Sequence, residues 1–108
     1  MYQILMADEV HPVTPQLVKA KFSLGQIVAT PGALAAMEKA PCSPLSLLAR
    51  HLSGDWGTLP VEDAALNDQA LTSEGRLLSC YPIGSDTRIW VITEWDRSVT
   101  TLLLPSEY

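Results

Sequence analysis

The C-terminal part of the chain contains three runs of aliphatic, β-branched and aromatic residues separated by very short polar segments. The runs are RLLSCYPI, TRIWVITEW and SVTTLLLP, and the segments between them are GSD and DR. Such residues favour extended strands, and connections this short join neighbouring antiparallel strands. The pattern therefore predicts an antiparallel β-meander over residues 76–105.

The middle run is apolar on both of its faces. Alternation along a strand places Trp90 and Ile92 on one face, and Ile89 and Val91 on the other. This is typical of a central strand that helices cover on one side, while the N-terminal segment or a second protomer covers the other. Because an indole buries a large apolar area, we expect Trp90 to be the central packing residue.

Two helices are predicted before the meander from their start and stop signals. Thr30 and Pro31 supply a capping hydroxyl and a proline suited to the first turn of a helix that continues to Lys39. Ser43 repeats the capping signal for a second helix, which Gly54 can end. Apolar residues recur at helical spacing within this second segment, at Leu45, Leu48, Ala49 and Leu52.

A third helix is predicted over residues 60–73. Acidic residues at its start suit the positive end of a helix dipole, and its apolar face would contain Leu66, Ala70 and Leu71. A strand is predicted around Ile27 and Val28. The expected fold is therefore α+β, with about three helices packed on an antiparallel sheet of three or four strands.

The N-terminal segment differs from the rest of the chain. Residues 1–21 contain Pro12 and Pro15 and are expected to form a loosely structured N-terminal arm with a short extended piece at residues 2–6. Residues 22–108 are expected to form a single globular α+β domain. The segment lacks the basic start of a signal peptide, and we expect a cytoplasmic protein with no membrane contact.

Composition excludes several classes of function. The chain has 108 residues, 47% of them hydrophobic and 18% charged, which is typical of a folded domain. A formal net charge of −5 argues against nucleic-acid binding, because the basic residues are few and scattered. Cys42 and Cys80 lack metal-ligand spacing and are expected to stay reduced; no metal or cofactor is expected.

The segment RHLSGDWG contains the catalytic candidates, His51 and Asp55. On a continuous helix this spacing would bring an imidazole and a carboxylate together as a base and its orienting acid. Gly54 interrupts the helix, however, so that Asp55 is better explained by hydrogen bonds to backbone N–H groups in a turn, and Trp56 by folding back on the core. A binding role for Asp55 and Trp56 is the alternative.

A second polar cluster lies at the expected hairpin tip, in the segment TEWDRS. Glu94, Trp95, Asp96 and Arg97 are candidate ligand-binding residues at this tip. The alternative is an ordinary turn, in which Asp96 bonds its own backbone and Arg97 pairs with a surface acid.

The chain resembles a family of small bacterial proteins carried on plasmids, integrative elements and phages. The resemblance extends from Phe22 onward, and its most specific parts are HLSGDWG and ITEWDRS. Members are described as hypothetical or plasmid-related, and some as type I restriction subunits. The chain lacks the glycine-rich loop that a cofactor-binding methylation subunit needs. The resemblance implies a setting in mobile elements and supplies no catalytic residue.

Two functions from different classes are consistent with the sequence. The first is a non-enzymatic accessory protein of a bacterial mobile element that acts by protein–protein contact on a host defence or plasmid-maintenance partner. The second is a small hydrolase or nuclease that uses His51 and Asp55. An enzyme should have both side chains pointing into one pocket, whereas a binding protein should expose an apolar patch. A homodimer is compatible with the first.

Overall fold

The computed structural model of the protein describes residues 2–3 and 20–108. The strands over these residues are β1 (Tyr2–Gln3), β2 (Gln26–Ala29), β3 (Leu77–Ile83), β4 (Thr87–Thr93) and β5 (Val99–Leu103). The helices are α1 (Pro31–Lys39), α2 (Pro44–Leu52) and α3 (Val61–Ala70), and a 3-10 turn follows at Pro105–Glu107. The five strands form one sheet in the order β1-β2-β5-β4-β3. The predicted α+β class is confirmed.

The sheet is mixed rather than antiparallel throughout. The predicted meander is present, because β4 runs antiparallel to both β3 and β5. β2, however, pairs with β5 in parallel, with Val28 opposite Thr101. The helices and two strands intervene between β2 and β5, and a crossover of this kind returns the chain in the same direction.

Within the N-terminal segment, the structure describes β1 and residues 20–21. Tyr2 and Gln3 pair antiparallel with Ala29 and Val28 of β2, within the short extended piece predicted at residues 2–6. The loosely structured arm predicted for residues 1–21 falls mostly on residues 4–19, which lie outside the described part of the chain.

The first two helices begin where the capping signals predict. The Thr30 hydroxyl accepts a hydrogen bond from the Ala33 N–H at 3.1 Å, and the Ser43 hydroxyl accepts one from the Leu45 N–H at 3.2 Å. Each helix has a proline in its first turn, where a missing N–H has no consequence. Gly54, with a φ of +85°, follows the end of α2 in the left-handed region.

The third helix differs from its prediction in length and orientation. α3 ends at Ala70 rather than at residue 73, and the side chain of Leu66, predicted to be buried, is 60% exposed. Asn67 is buried in its place, because its side-chain amide donates to the Leu78 carbonyl at 2.6 Å and accepts from the Leu78 N–H at 3.1 Å. Hydrophobic periodicity does not identify a helix face on which the buried side chain is a hydrogen-bonded amide.

The core lies between the three helices and one face of the sheet. Ile89 and Val91 are fully buried on this face, against Leu47 and Leu48 of α2. Trp90 points to the opposite face and is only half-buried, so its predicted role as the central packing residue is wrong. Alternation defines the two faces of β4, but because both are apolar it cannot identify the face that the helices cover.

Candidate functional site

His51 lies on the last turn of α2 and is fully buried against the sheet. Its Nδ1 lies 2.6 Å from the Ser79 Oγ, and its Nε2 lies 2.9 Å from the Thr93 Oγ1. The Thr93 Oγ1 lies 2.7 Å from the Thr100 Oγ1, and the Thr100 hydroxyl donates to the Leu24 carbonyl at 2.7 Å. These contacts form one continuous hydrogen-bonded chain from β3 to the segment before β2.

The direction of every bond in this chain follows from its last member. A carbonyl only accepts, so the single Thr100 proton is used on Leu24, and Thr93 must donate to Thr100. Thr93 then has no proton for His51, so the His51 Nε2–H donates to Thr93. In a neutral imidazole that is protonated at Nε2, Nδ1 accepts from Ser79. The network thus fixes the neutral Nε2–H tautomer of the imidazole.

The environment of His51 opposes its protonation. Burial, and secondly the positive charge of Arg97, lower the pKa of His51 from the usual 6.5 to about 3. A general base works best with a pKa near the operating pH, and both ring nitrogens here already have hydroxyl partners. The geometry is that of a structural, buried histidine with both nitrogens hydrogen-bonded, and not that of a general base.

Asp55 lies in the turn after α2, and its carboxylate bonds Arg50 and Gly57 rather than His51. Its carboxylate oxygens contact the Arg50 guanidinium at 2.7 and 3.3 Å, and Oδ1 also accepts from the Gly57 N–H at 3.1 Å. The Arg50 guanidinium in turn lies 4.4 Å from the centre of the Tyr81 ring. The hydrogen bond from Arg50 lowers the pKa of Asp55. The structure therefore does not join the carboxylate and imidazole of the candidate catalytic pair.

Trp56 belongs to the interior, as the turn interpretation predicts. It is 6% exposed, and its indole N–H donates to the Asp68 carboxylate at 3.0 Å. The ring lies 6.3 Å from Phe22 and 5.7 Å from His51, measured between ring centres. A residue enclosed in this way is unsuited to the binding role considered for it.

The turn that follows Asp55 closes the outer edge of the sheet, which the sequence did not indicate. The Cys80 N–H donates to the Trp56 carbonyl at 3.1 Å, and the Thr58 N–H donates to the Cys80 carbonyl at 2.8 Å. A Cβ at Gly57, whose φ is +76°, would overlap the Cys80 carbonyl, so this approach requires glycine. On the same edge, Asn67 bonds the backbone of Leu78, and Pro82 has no N–H to donate. The edge is therefore closed to another strand.

Arg97 holds the tip of the hairpin between β4 and β5. Its guanidinium donates to the carbonyls of Gly75 at 2.6 Å and Ala70 at 2.7 Å, and more weakly to those of Glu94 at 3.2 Å and Trp95 at 3.3 Å. The bond to Ala70 caps the C-terminus of α3. The turn interpretation expected Arg97 to pair with a surface acid. The structure shows instead that Arg97 fixes the tip through backbone carbonyls.

The remaining residues of the tip face outward. Trp95 is 55% exposed, and Asp96 is exposed with its Oδ1 accepting from the Ser98 N–H and hydroxyl at 3.0 and 2.6 Å. Glu94 lies 3.4 Å from Arg76 in a solvent-exposed ion pair. Between this tip and the turn after α3 lies an open groove of about 500 Å³, which we call the tip groove; it is lined by Leu71, Thr72, Ser73, Glu74, Trp95, Asp96 and Arg97.

An apolar cleft of about 330 Å³ lies elsewhere on the described surface, and sequence reasoning did not identify it. We call it the Trp90 cleft; it is lined by Arg76, Leu78, Trp90, Ile92 and Tyr108. It lies on the sheet face opposite the helices. The sequence signal for this cleft was that Trp90 and Ile92 form a second apolar face on the same strand.

Over residues 2–3 and 20–108, no three His, Cys, Asp or Glu side chains converge as metal ligands, and both described cysteines are free thiols. None of the helices in this part of the chain is long and apolar enough to cross a membrane. Comparison with protein-family models, curated proteins and solved structures finds no match to the chain.

Proposed function

We propose that this protein acts by protein–protein contact, and that the tip groove is the contact surface. The observation that carries the proposal is the exposed Trp95 indole on a tip that Arg97 holds with four carbonyl contacts. Exposed aromatic residues on a preorganised backbone are typical centres of binding energy, because little conformational entropy is lost when the partner binds.

The charge of the tip indicates the chemistry of the partner. Glu74 and Asp96 line the groove together with Trp95. Arg97, the cation among the described lining residues, is directed at backbone carbonyls. The whole chain has a formal net charge of −5. Basic side chains would complement this surface, and a Lys or Arg side chain can stack on an indole. The proposed partner is therefore a protein with a basic contact segment.

The biological setting rests on the resemblance to proteins of plasmids, integrative elements and phages. On that basis the partner belongs to a host defence or plasmid-maintenance system, and the protein is an accessory factor of a bacterial mobile element. The hydrolase or nuclease alternative has weaker support, because His51 is buried and bonded at both nitrogens while Asp55 is held by Arg50.

The proposal is tested by affinity purification from bacterial cells with the parent and three variants. We expect Trp95→Ala to lose a partner that the parent retains, and Glu74→Lys to weaken its retention. Val61→Ala is the matched control, because Val61 is 83% exposed on α3 and does not line the groove. Circular dichroism establishes that each variant is folded. A partner retained equally by the parent and by Trp95→Ala would overturn the assignment of this surface.

A further inference from the structure

The residues described as lining the Trp90 cleft are apolar except for the Arg76 guanidinium and the Tyr108 hydroxyl. Trp90, Leu78 and Ile92 supply the apolar lining, and the volume of about 330 Å³ lies at the lower end of small-molecule sites. A site of this size holds one aromatic ring with a small substituent. The cleft lies on the opposite face of the sheet from the helices and contains none of the residues that line the tip groove.

Arg76 supplies the donor. Its Nη1 donates to the Tyr108 hydroxyl at 2.8 Å, and its Nε lies 3.4 Å from the Glu94 carboxylate. Its Nη2 has no hydrogen bond to any residue within the described ranges 2–3 and 20–108. The Nη2 nitrogen is therefore available to donate to a carboxylate, a group that guanidinium binds well.

The contacts of Tyr108 show which kind of group can pack against Trp90 and Arg76. Its ring centre lies 5.5 Å from that of Trp90 in an edge-to-face arrangement, while its oxygen contacts Arg76. The Tyr108 side chain itself is 68% exposed, so it borders the cleft without filling it. A second ring can repeat this arrangement against Trp90 with an anionic group on Arg76.

We propose that the Trp90 cleft binds a single aromatic ring bearing a carboxylate. The ring packs against Trp90 and Ile92, and the carboxylate accepts hydrogen bonds from Arg76. Two sources share this chemistry: a free small aromatic acid, and an aromatic residue at the carboxyl end of a peptide. The site is independent of the protein contact proposed at Trp95.

The test uses two-dimensional NMR of the full chain with benzoate as the probe. The three tryptophans give separate indole N–H signals, assigned with Trp→Phe variants. We expect benzoate to shift the Trp90 signal in a saturable way and to leave those of Trp56 and Trp95 unchanged. Cyclohexanecarboxylate should bind about threefold more weakly, because it lacks the ring's edge-to-face contact.

Two arginine variants separate a site from general charge attraction. Arg76→Ala should weaken benzoate binding about tenfold through loss of a charge-assisted bond. Arg88→Ala is the matched control: Arg88 is exposed on the same strand face as Trp90, does not line the cleft, and should leave the affinity unchanged. An unshifted Trp90 signal, or equal weakening by both variants, would overturn the proposal.

A second arm identifies the source of the ring. A short N-acetylated peptide without charged side chains that ends in phenylalanine also carries an aromatic ring and a carboxylate, and it is titrated beside benzoate. Tighter binding of the peptide assigns the site to a chain terminus, and tighter binding of benzoate assigns it to a free acid. Both results require a saturable Trp90 shift and weaker binding to Arg76→Ala than to the parent, so neither is satisfied by nonspecific association.

Discussion

The buried imidazole of His51 should make the stability of the protein depend on pH. Its pKa is about 3 in the folded protein and near 6.5 in an unfolded chain. The unfolded state therefore binds a proton over a pH range in which the folded state does not, and acidification favours unfolding. The stabilisation is fully present above pH 6.5 and is lost as the pH falls from there toward 3.

The magnitude follows from this difference. Between pH 8 and pH 5 the unfolded chain gains about 2 kcal/mol from protonation of one histidine with a pKa of 6.5, and the folded state gains almost nothing. Carboxyl groups with ordinary pKa values titrate mostly below pH 5, so they contribute little in this window. The free energy of unfolding should accordingly fall by about 2 kcal/mol, out of the roughly 5 to 15 kcal/mol typical of a domain.

The assay is urea unfolding at a series of pH values, for the parent and for His51→Gln. A glutamine can accept from Ser79 and donate to Thr93 without binding a proton. Between pH 8 and pH 5, the free energy of unfolding of the variant should therefore fall by about 2 kcal/mol less than that of the parent. Any contribution from His11 is the same in both proteins and cancels. If the parent and the variant have the same dependence on pH from 8 to 5, then His51 is not held neutral and the reasoning is wrong.

The other predictions concern single substitutions, measured by urea unfolding with far-ultraviolet circular dichroism. Arg97→Ala should lower the free energy of unfolding by about 2 to 3 kcal/mol through loss of its carbonyl contacts, and Arg97→Gly by about 1 kcal/mol less, since glycine adopts the observed φ of +60° without strain; equal losses would contradict this. Asp55→Ala should cost about 1 kcal/mol, because its contacts are solvent-exposed, and a loss above 3 kcal/mol would be inconsistent with a turn residue. Trp56→Ala should lower the free energy of unfolding by about 3 to 5 kcal/mol, and Trp90→Ala by about 1 to 2 kcal/mol. A larger loss for Trp90→Ala than for Trp56→Ala would mean that the core lies on the sheet face of Trp90.

Local signals in the sequence predicted the elements well. The capping residues Thr30 and Ser43 located the starts of two helices because the bond they make is to an N–H only two or three residues away. Likewise, the short polar segments between the β-rich runs defined the meander, since few connections join antiparallel strands over so short a distance. The turn interpretation of Asp55 also depended on neighbours in the chain, and it matches the bond that the carboxylate accepts from the Gly57 N–H.

The residues that the sequence misjudged are those whose partners are distant along the chain. Arg97 bonds carbonyls at positions 70 and 75, Asn67 bonds the backbone of Leu78, and His51 reaches hydroxyls on β3 and β4. Each has an ordinary surface-like residue type, and nothing within a few positions indicates that its polar atoms are satisfied internally.

The sequence by itself determined which segments form helices and strands and which residues share a strand face, because these depend on interactions between near neighbours. Only the tertiary structure decided that the helices cover Ile89 and Val91 rather than Trp90, and that Trp95 remains outside while Trp56 is enclosed. Two apolar faces are equally suited to burial when considered one strand at a time. Which face is buried depends on how the whole chain packs, and here the helices between β2 and β5 lie on the sheet face of Ile89 and Val91.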